Sequence, residues 1–440
     1  MNSLEIAIGY SFLLAGCGLF LILLLPCRGR DIVWLNVIFL PAYLLRIVLV
    51  IGNESFQWME GKGADERSLD LFSLVHQSGW DSSAVWGNSF FIQTLINYPG
   101  FAIFGPDRLV ILITNAFFGA LIAPIAYAYL KRFFGERPAG WGAMVFMFYP
   151  AAVNFSICGL RDILIFFFIS VFLFSAYGLI LRRESTLNRI FDFVVFSTTA
   201  FFLYKLRPEL APIVGIYILM MVMVNFSRFA KRISNIDEKM FVVALILVIG
   251  VALLSVSGLQ AYRISLQAVG VARAIDPGEL MDTYTMNRFK RAAGKEGGES
   301  HISTIDEYQN MSLPKRFVLQ TLGVLLVPWP SPINATVRVA AAFDSLLVLI
   351  LLFTGLKTAV KGRFREQRIL AKISTLTFVS GVLAMGLVVT NSGNAFRMRL
   401  ALIPLLIIAA AISKCGMKES VKVYRKPEGV YPMIVENAKS

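Results

Sequence analysis

The sequence predicts an all-α integral membrane protein, and two observations carry that prediction. Hydrophobic residues make up 57% of the 440 residues and charged residues only 16%, with a mean hydropathy of +0.68, which is more apolar than a soluble core requires. Apolar runs of roughly 18 residues or more, long enough to cross a hydrocarbon layer as a helix, recur along the chain. We therefore expect one polytopic domain over residues 1–440, built as a bundle of about eleven transmembrane helices.

The expected spans follow these apolar runs. They lie near residues 5–26, 32–51, 107–130, 141–158, 163–181, 190–205, 210–226, 240–257, 337–356, 370–390 and 400–413. Two long polar connections, residues 52–106 and 258–336, interrupt the series. Within the second connection, residues 317–329 are apolar but too short to span a bilayer, so we expect an interfacial or re-entrant segment there.

Basic residues set the expected orientation, because short loops rich in lysine and arginine stay in the cytoplasm. Such loops alternate along the chain near residues 28–30, 131–137, 182–189, 228–232 and 357–368, and the tail from 414 is basic too. This pattern predicts a multi-pass protein of a bacterial inner membrane with its N-terminus outside and its C-terminus in the cytoplasm. Topology then explains most of the net charge of +14, and no nucleic-acid partner is needed.

The first external loop, residues 52–106, contains a short acidic cluster. Asp65 and Glu66 lie in the sequence Ala64-Asp65-Glu66-Arg67, and Asp70 follows one turn later. We expect residues 68–77 to form a short amphipathic helix on the membrane. A helix N-terminus stabilises anionic side chains, so Asp65 and Glu66 fit either a catalytic site or a simple cap of that helix.

Charged turns at the outer ends of other spans form the second candidate feature. They contain Arg161 and Asp162, then Lys205, Arg207 and Glu209, and finally Asn394, Arg397 and Arg399. Cations in short external turns run against the orientation bias, which favours an anionic ligand, and the planar guanidinium group matches phosphate. The alternative interpretations are a structural pin at Arg161 and Asp162, and snorkelling by Arg397 and Arg399.

Two charged residues fall inside expected spans, where ionisable groups are functional suspects. Arg46 lies near the outer end of the second span, and Asp344 lies deeper in the ninth. We expect Arg46 to reach the outer surface by snorkelling. We expect Asp344 to face the interior of the bundle and to pair with a cation from the outer end.

The order of several short motifs resembles that of the superfamily C (GT-C) glycosyltransferases. After the acidic loop come Asn97-Tyr98-Pro99-Gly100, Phe134-Gly135-Glu136-Arg137, Tyr149-Pro150, Gly159-Leu160-Arg161-Asp162 and Gly393-Asn394-Ala395-Phe396-Arg397-Met398-Arg399. The last motif, with Pro404 behind it, is similar to the arginine-rich entry to a late span in mannosyl-, arabinosyl- and galacturonosyl-transferring members. The resemblance implies a GT-C-like fold with helices in the extracytoplasmic loops.

The same resemblance implies an enzyme that moves a sugar from a polyprenyl-phosphate carrier to a glycan or glycolipid acceptor at the extracytoplasmic face. In that family an acidic residue of the first external loop acts as base or metal ligand, which corresponds here to Asp65, favoured as the base, or Glu66. A divalent cation such as Mg²⁺ or Mn²⁺ would bind at these two residues. The donor phosphate would meet Arg397 and Arg399, with Arg207 or Arg161, and the supporting residues are Asp162, Lys205, Glu209, Asp344 and Asn394.

Two other functions compete with this interpretation. A repeat-unit polysaccharide polymerase or ligase has a similar length and external arginines, but its key cations lie in two larger, later loops. A lipid-linked oligosaccharide transporter or flippase is characterised by internal repeats and by broken helices with charges near the bilayer midplane. The sequence shows no convincing duplication, which argues against the transporter. The acidic first loop favours the transferase over the polymerase.

Overall fold

A computed structural model describes residues 3–25, 29–56, 64–80, 90–181, 186–207, 210, 214–215, 217–218, 312–326, 335–362, 365–386 and 392–414. Within these ranges the chain forms thirteen α-helices and no strand. They are α1 (Ser3–Leu24), α2 (Gly29–Phe56), α3 (Ala64–Ser78), α4 (Phe91–Phe104), α5 (Arg108–Phe134), α6 (Glu136–Phe148), α7 (Pro150–Ser156), α8 (Asp162–Leu181), α9 (Thr186–Leu206), α10 (Leu313–Leu326), α11 (Ala335–Lys361), α12 (Arg365–Gly386) and α13 (Ser392–Ile412).

Six of the described helices, α1, α2, α5, α8, α9 and α11, are long and apolar enough to cross a membrane. Each coincides with an expected span. Helices also occupy the expected spans at 370–390 and 400–413, as α12 and α13, whereas residues 240–257 and most of 210–226 lie outside the described residues. The described part is therefore consistent with an α-helical multi-pass membrane protein, and the expected number of eleven spans is not confirmed.

Helices α5 and α8 form the centre of the bundle. In each of them 94% of the most apolar stretch is buried, against 17–39% in α1, α2, α9 and α11. Helix α5 packs against α1, α2, α4, α6, α7 and α8, and α13 joins the later helices to α6 and α8. The outer helices expose large apolar side chains such as Phe12 and Phe353, which suits contact with lipid.

Helix α5 has well-defined limits, and they fix the two ends of the bundle. The Asp107 carboxylate accepts a hydrogen bond of 2.7 Å from the Leu109 N–H and so caps its first turn. At the other end Gly135 has φ +94°, a conformation that glycine adopts without strain, and it reverses the chain directly into α6. We call the level at which α5 begins the Asp162 end, because α8 starts there with Asp162. We call the level at which α5 ends the Lys131 end, because Lys131 lies in the last turn of α5.

The first long polar connection, residues 52–106, contains two helices. Helix α3, which includes the expected amphipathic segment, begins within the acidic cluster and packs against α4 and α5. Its apolar residues Leu71 and Val75 are buried, and the Ser68 hydroxyl lies 3.2 Å from that of Thr94 in α4. The apolar face of α3 therefore rests on protein.

The expected span at 141–158 is wrong as a single helix. Helix α6 ends at Phe148, and α7 begins at Pro150, because proline has no N–H to continue the first helix and suits the first turn of a new one. Gly142 contacts Leu130, and Ser156 lies against Gly119, so the break lies opposite the middle of α5. The expected span is thus replaced by two short helices.

Candidate functional site

The turn between α7 and α8 is held in place by three buried amide side chains. Asn115 of α5 donates to the carbonyls of Cys158 (2.7 Å) and Leu160 (3.0 Å). Gln93 of α4 donates to the Gly159 carbonyl at 3.1 Å, and Asn53 of α2 to that of Ile157 at 3.4 Å. Because a buried carbonyl without a partner is costly, these bonds fix the backbone that leads to Arg161 and Asp162.

Asp162 starts α8 and lies between two arginines from distant parts of the chain. One carboxylate oxygen is 3.2 Å from Nη2 of Arg207, which follows α9, and the other is 4.0 Å from Nε of Arg397 in α13. Asp162 and Arg207 are buried, whereas the Arg397 side chain is 43% exposed. The buried Asp162–Arg207 pair therefore positions the guanidinium group of Arg397, which remains accessible to solvent.

Two more arginines meet on the ring of Phe90, immediately before α4. The guanidinium carbon of Arg161 lies 4.8 Å from the ring centre, and that of Arg67 lies 5.8 Å from it. Both distances are within the range of cation–π contact. We refer to Arg67, Arg161, Asp162, Arg207 and Arg397 together as the Asp162 cluster.

The start of α3 belongs to the same region of the molecule. Asp65 and Glu66 form the first turn of α3, directly before Arg67, although their side chains lie outside the described part of the structure. The contact between Arg67 and Phe90 therefore brings the backbone of this acidic turn close to the Asp162 cluster. A helix N-terminus presents unpaired N–H groups and a partial positive charge there.

Deeper in the bundle, Asp344 and Arg399 form a buried ion pair, as expected for Asp344. Both side chains are 1% exposed. Nη1 of Arg399 also donates to the Ser345 hydroxyl (3.0 Å) and to the Leu325 carbonyl (2.8 Å) in the last turn of α10. Arg397 and Arg399, which the sequence grouped together, thus separate into an exposed cation and a buried, neutralised one.

Arg46 is fully buried, and the expectation that it reaches the outer surface is wrong. Its Nη2 donates to the Met147 carbonyl at 2.8 Å, in the last turn of α6, and its Nη1 donates to the Ala42 carbonyl at 3.1 Å. Its Nε has no hydrogen-bond partner among the described residues. The proline break leaves carbonyls at the end of α6 unpaired, and Arg46 binds one of them.

The remaining predicted residues are partly outside the described structure. Lys205 lies in the last turn of α9 and is half-buried. Glu209 lies outside the described residues, and so does the side chain of Asn394, whose backbone is in the first turn of α13.

Sequence reasoning missed several residues that the structure brings into prominence. Arg67 was part of the acidic motif but received no role, and Asn53, Gln93 and Asn115 carry no charge that would mark them within apolar segments. Asp192, in the expected span at 190–205, is buried and pairs with Arg132 at 3.0 Å. Asp192 could have been recognised from the sequence, because an acidic residue within an apolar run is unusual.

Within the described ranges, no group of three or more His, Cys, Asp or Glu side chains could hold a metal ion. The side chains of Asp65 and Glu66, the predicted metal ligands, lie outside those ranges. What the described side chains of the Asp162 cluster offer is four guanidinium groups against one carboxylate. Guanidinium groups suit a phosphate or another small anion.

No protein-family model, no curated protein and no solved structure matches this chain.

Proposed function

We propose that this chain is a membrane glycosyltransferase that moves a sugar from a polyprenyl-phosphate carrier to a glycan or glycolipid acceptor at the extracytoplasmic face. One observation carries the proposal: Arg207 and Arg397 flank Asp162, and the adjacent Arg161 meets Arg67 of α3 on the ring of Phe90. Such a transfer needs cations for the departing phosphate and a carboxylate for the acceptor proton. The motif order that resembles the GT-C enzymes is the second support.

In this proposal the acceptor hydroxyl oxygen attacks the anomeric carbon of the donor sugar. The bond between that carbon and the phosphate oxygen breaks, and its electron pair leaves with the polyprenyl phosphate. Asp65 takes the hydroxyl proton, and Arg397 with Arg161 stabilises the charge that develops on the phosphate. Asp162 and Arg207 hold Arg397 in position, while Asp65 and Glu66 are the residues that would bind a Mg²⁺ or Mn²⁺ ion.

Arg399 has a different part in the proposed mechanism from the one that the sequence suggested. Its charge is balanced by Asp344, and it is buried, so it contributes little attraction to an external phosphate. We assign Arg399 a positioning role. It lies two residues after Arg397 in α13, and its hydrogen bonds anchor this part of α13 to α10 and α11. The phosphate contact itself falls to Arg397 and Arg161.

The proposal is tested by sugar transfer in proteoliposomes that contain the purified protein and a panel of polyprenyl-phosphate sugars. Asp65→Asn is expected to lower the transfer rate by roughly 100-fold or more, the usual contribution of a general base. Asp70→Asn, one turn later in α3, is the matched control and should retain activity. Full activity in both Asp65→Asn and Glu66→Gln would rule out the assignment, and long polymeric products would favour a polymerase.

The second candidate function is a lipid-linked oligosaccharide transporter or flippase, and one observation favours it. The break between α6 and α7 lies near the middle of the bundle, with Arg46 at the end of α6, and α11, the helix that contains Asp344, contacts α7. Broken helices with charges near the midplane are typical of transporters. Movement of a fluorescent lipid-linked sugar across proteoliposomes without any transfer to acceptor would favour this candidate.

A further inference from the structure

An elongated groove lies at the Lys131 end of the bundle, far from the Asp162 cluster. Helices α2, α5 and α6 line an open cavity of about 590 Å³, a volume within the range of small-ligand sites. On α2 its lining extends from Asp31 to Ile38, and on α6 it extends from Glu136 to Met147. At about 1.5 Å per helical residue, the α6 wall is about 16 Å long.

The polar groups of the groove are confined to one end. There Nζ of Lys131 lies 2.7 Å from an Asp31 carboxylate oxygen and 2.9 Å from one of Glu136. The Glu136 side chain is 73% exposed, whereas those of Asp31 and Lys131 are about a quarter exposed. Glu136 therefore retains acceptor capacity towards a second donor.

The rest of the lining is apolar and open to the side of the bundle. Trp34, Ile38 and Met147 continue the groove away from the charged end, together with Met144. Trp34 and Met144 are more than half exposed, on helices whose outward surfaces are suited to lipid. Methionine adapts its shape to a flexible chain, and tryptophan prefers the boundary between apolar and polar regions of a bilayer.

This combination specifies an amphipathic ligand with one chain along the groove and a small polar head at its charged end. The lining provides two carboxylates and one ammonium group, so a head that contains an ammonium group is favoured over a head whose only charge is negative. An ammonium group with N–H donors can bind Glu136 directly, whereas a quaternary ammonium has no such donor. A phosphate in the same head would lie beside Lys131.

We propose that this groove binds a membrane phospholipid with a primary ammonium head, of the phosphatidylethanolamine class. The Glu136 carboxylate accepts the head-group N–H, Lys131 faces the phosphate, and one acyl chain lies along Trp34, Ile38 and Met144. The site is separate from the Asp162 cluster, and nothing in the proposed sugar transfer depends on it. It is a lipid site at the opposite end of the same bundle.

Native mass spectrometry of the purified protein tests the proposal with dioleoyl phosphatidylethanolamine, phosphatidylcholine and phosphatidylglycerol as competing probes. We expect the ethanolamine lipid to bind roughly fivefold more tightly than the choline lipid, the effect of one charge-assisted hydrogen bond. Glu136→Gln should bring that ratio close to one, because it removes the carboxylate that binds the ammonium head. The Asp31–Lys131 pair remains and holds the two helices together. Glu54→Gln, which removes a partly exposed carboxylate paired with Arg108 at the far end of α2, should leave the ratio unchanged.

A variant that fills the groove provides an independent check. Met144→Trp should reduce retention of all three lipids, while Phe353→Trp on the exposed face of α11 should not. If either Trp variant does not fold, the lipid ratio of the unaltered protein decides the question. Equal binding of the ethanolamine and choline lipids, preference for the glycerol lipid, or equal effects of Glu136→Gln and Glu54→Gln would overturn the proposal.

Discussion

Two buried arginines serve the same physical purpose at different helix ends. Arg46 binds the Met147 carbonyl at the end of α6, and Arg399 binds the Leu325 carbonyl at the end of α10. The last carbonyls of a helix have no partner within it and carry partial negative charge, and no water is at hand in an apolar interior. A guanidinium group supplies both a hydrogen-bond donor for the carbonyl and a positive charge for the helix end. The main role of Arg46 and Arg399 is therefore to stabilise the fold.

The Asp344–Arg399 pair should be a large contributor to stability when only one partner is removed. Asp344→Leu leaves the Arg399 charge buried and uncompensated, so we expect a loss of about 3–5 kcal/mol in the free energy of unfolding. Thermal unfolding of the detergent-solubilised protein measures this loss as a lower midpoint temperature.

Two further variants make this prediction specific. The double variant Asp344→Leu with Arg399→Met should recover much of the lost stability, because no isolated charge remains. Glu54→Gln, at a pair whose two side chains are 39% and 36% exposed, should change stability by less than about 1 kcal/mol. An unchanged unfolding temperature in Asp344→Leu would show that the pair does not matter.

At the scale of single residues, the sequence identified Arg46 and Asp344 as charges within apolar runs, but it missed Asp192. Asp344 was expected to face inward and to pair with a cation, and the buried pair with Arg399 confirms this; that the cation comes from the outer end stays a prediction. The fate of Arg46 could not be read, because it depends on the orphan carbonyl at Met147, a residue 101 positions away. The amides of Gln93 and Asn115 were equally hidden, since their partners lie in a turn far along the chain.

At the scale of helices, the contact between α8 and α9 depends on a glycine. A Cβ at Gly178 would collide with the carboxylate of Asp192, which is buried and bonds to Arg132 and to the Tyr129 hydroxyl (3.4 Å). The absence of a side chain at Gly178 therefore leaves room for an ion pair that ties α9 to α5.

Gly178→Ala should destabilise the protein by about 1–3 kcal/mol, the usual cost of overpacking, because Asp192 must move away from Arg132. Gly16→Ala in α1 is the matched control, since a Cβ there would meet nothing within 4 Å. That control should stabilise the protein by up to about 1 kcal/mol through helix propensity. Unfolding midpoints of the two variants that shift in the same direction would contradict this account.

The sequence predicted most of the described helices but missed where one of them breaks. Hydropathy is continuous across residues 141–158, so the Tyr149-Pro150 pair was noted as a motif and not as the end of a helix. Helix α4 was overlooked for the opposite reason: it has 14 residues, with Gln93, Thr94 and Asn97 among its buried positions. Gln93 and Thr94 bond to Gly159 and Ser68 in neighbouring parts of the chain, which a hydropathy pattern cannot reveal.

At the scale of the whole molecule, the two ends of the bundle offer different chemistry. The Asp162 end collects four arginines from α3, the turn before α8, the end of α9 and α13. The Lys131 end has an ammonium group between two carboxylates at the mouth of an apolar groove. That the first set of cations shares one side of the membrane stays a prediction from the sequence, and the contacts of these cations with Asp162 and Phe90 arise from packing.

The most direct measurement of the central claim is the binding of a polyprenyl monophosphate to the purified protein, compared between two arginine variants. Arg397→Ala should raise the dissociation constant about tenfold, the effect of one lost charge-assisted contact. Arg108→Ala, which removes a similarly exposed cation near the same end of the bundle, should raise it less than about twofold. An unchanged dissociation constant in Arg397→Ala, or an equal rise in both variants, would contradict the claim that the Asp162 cluster binds the phosphate of a lipid carrier.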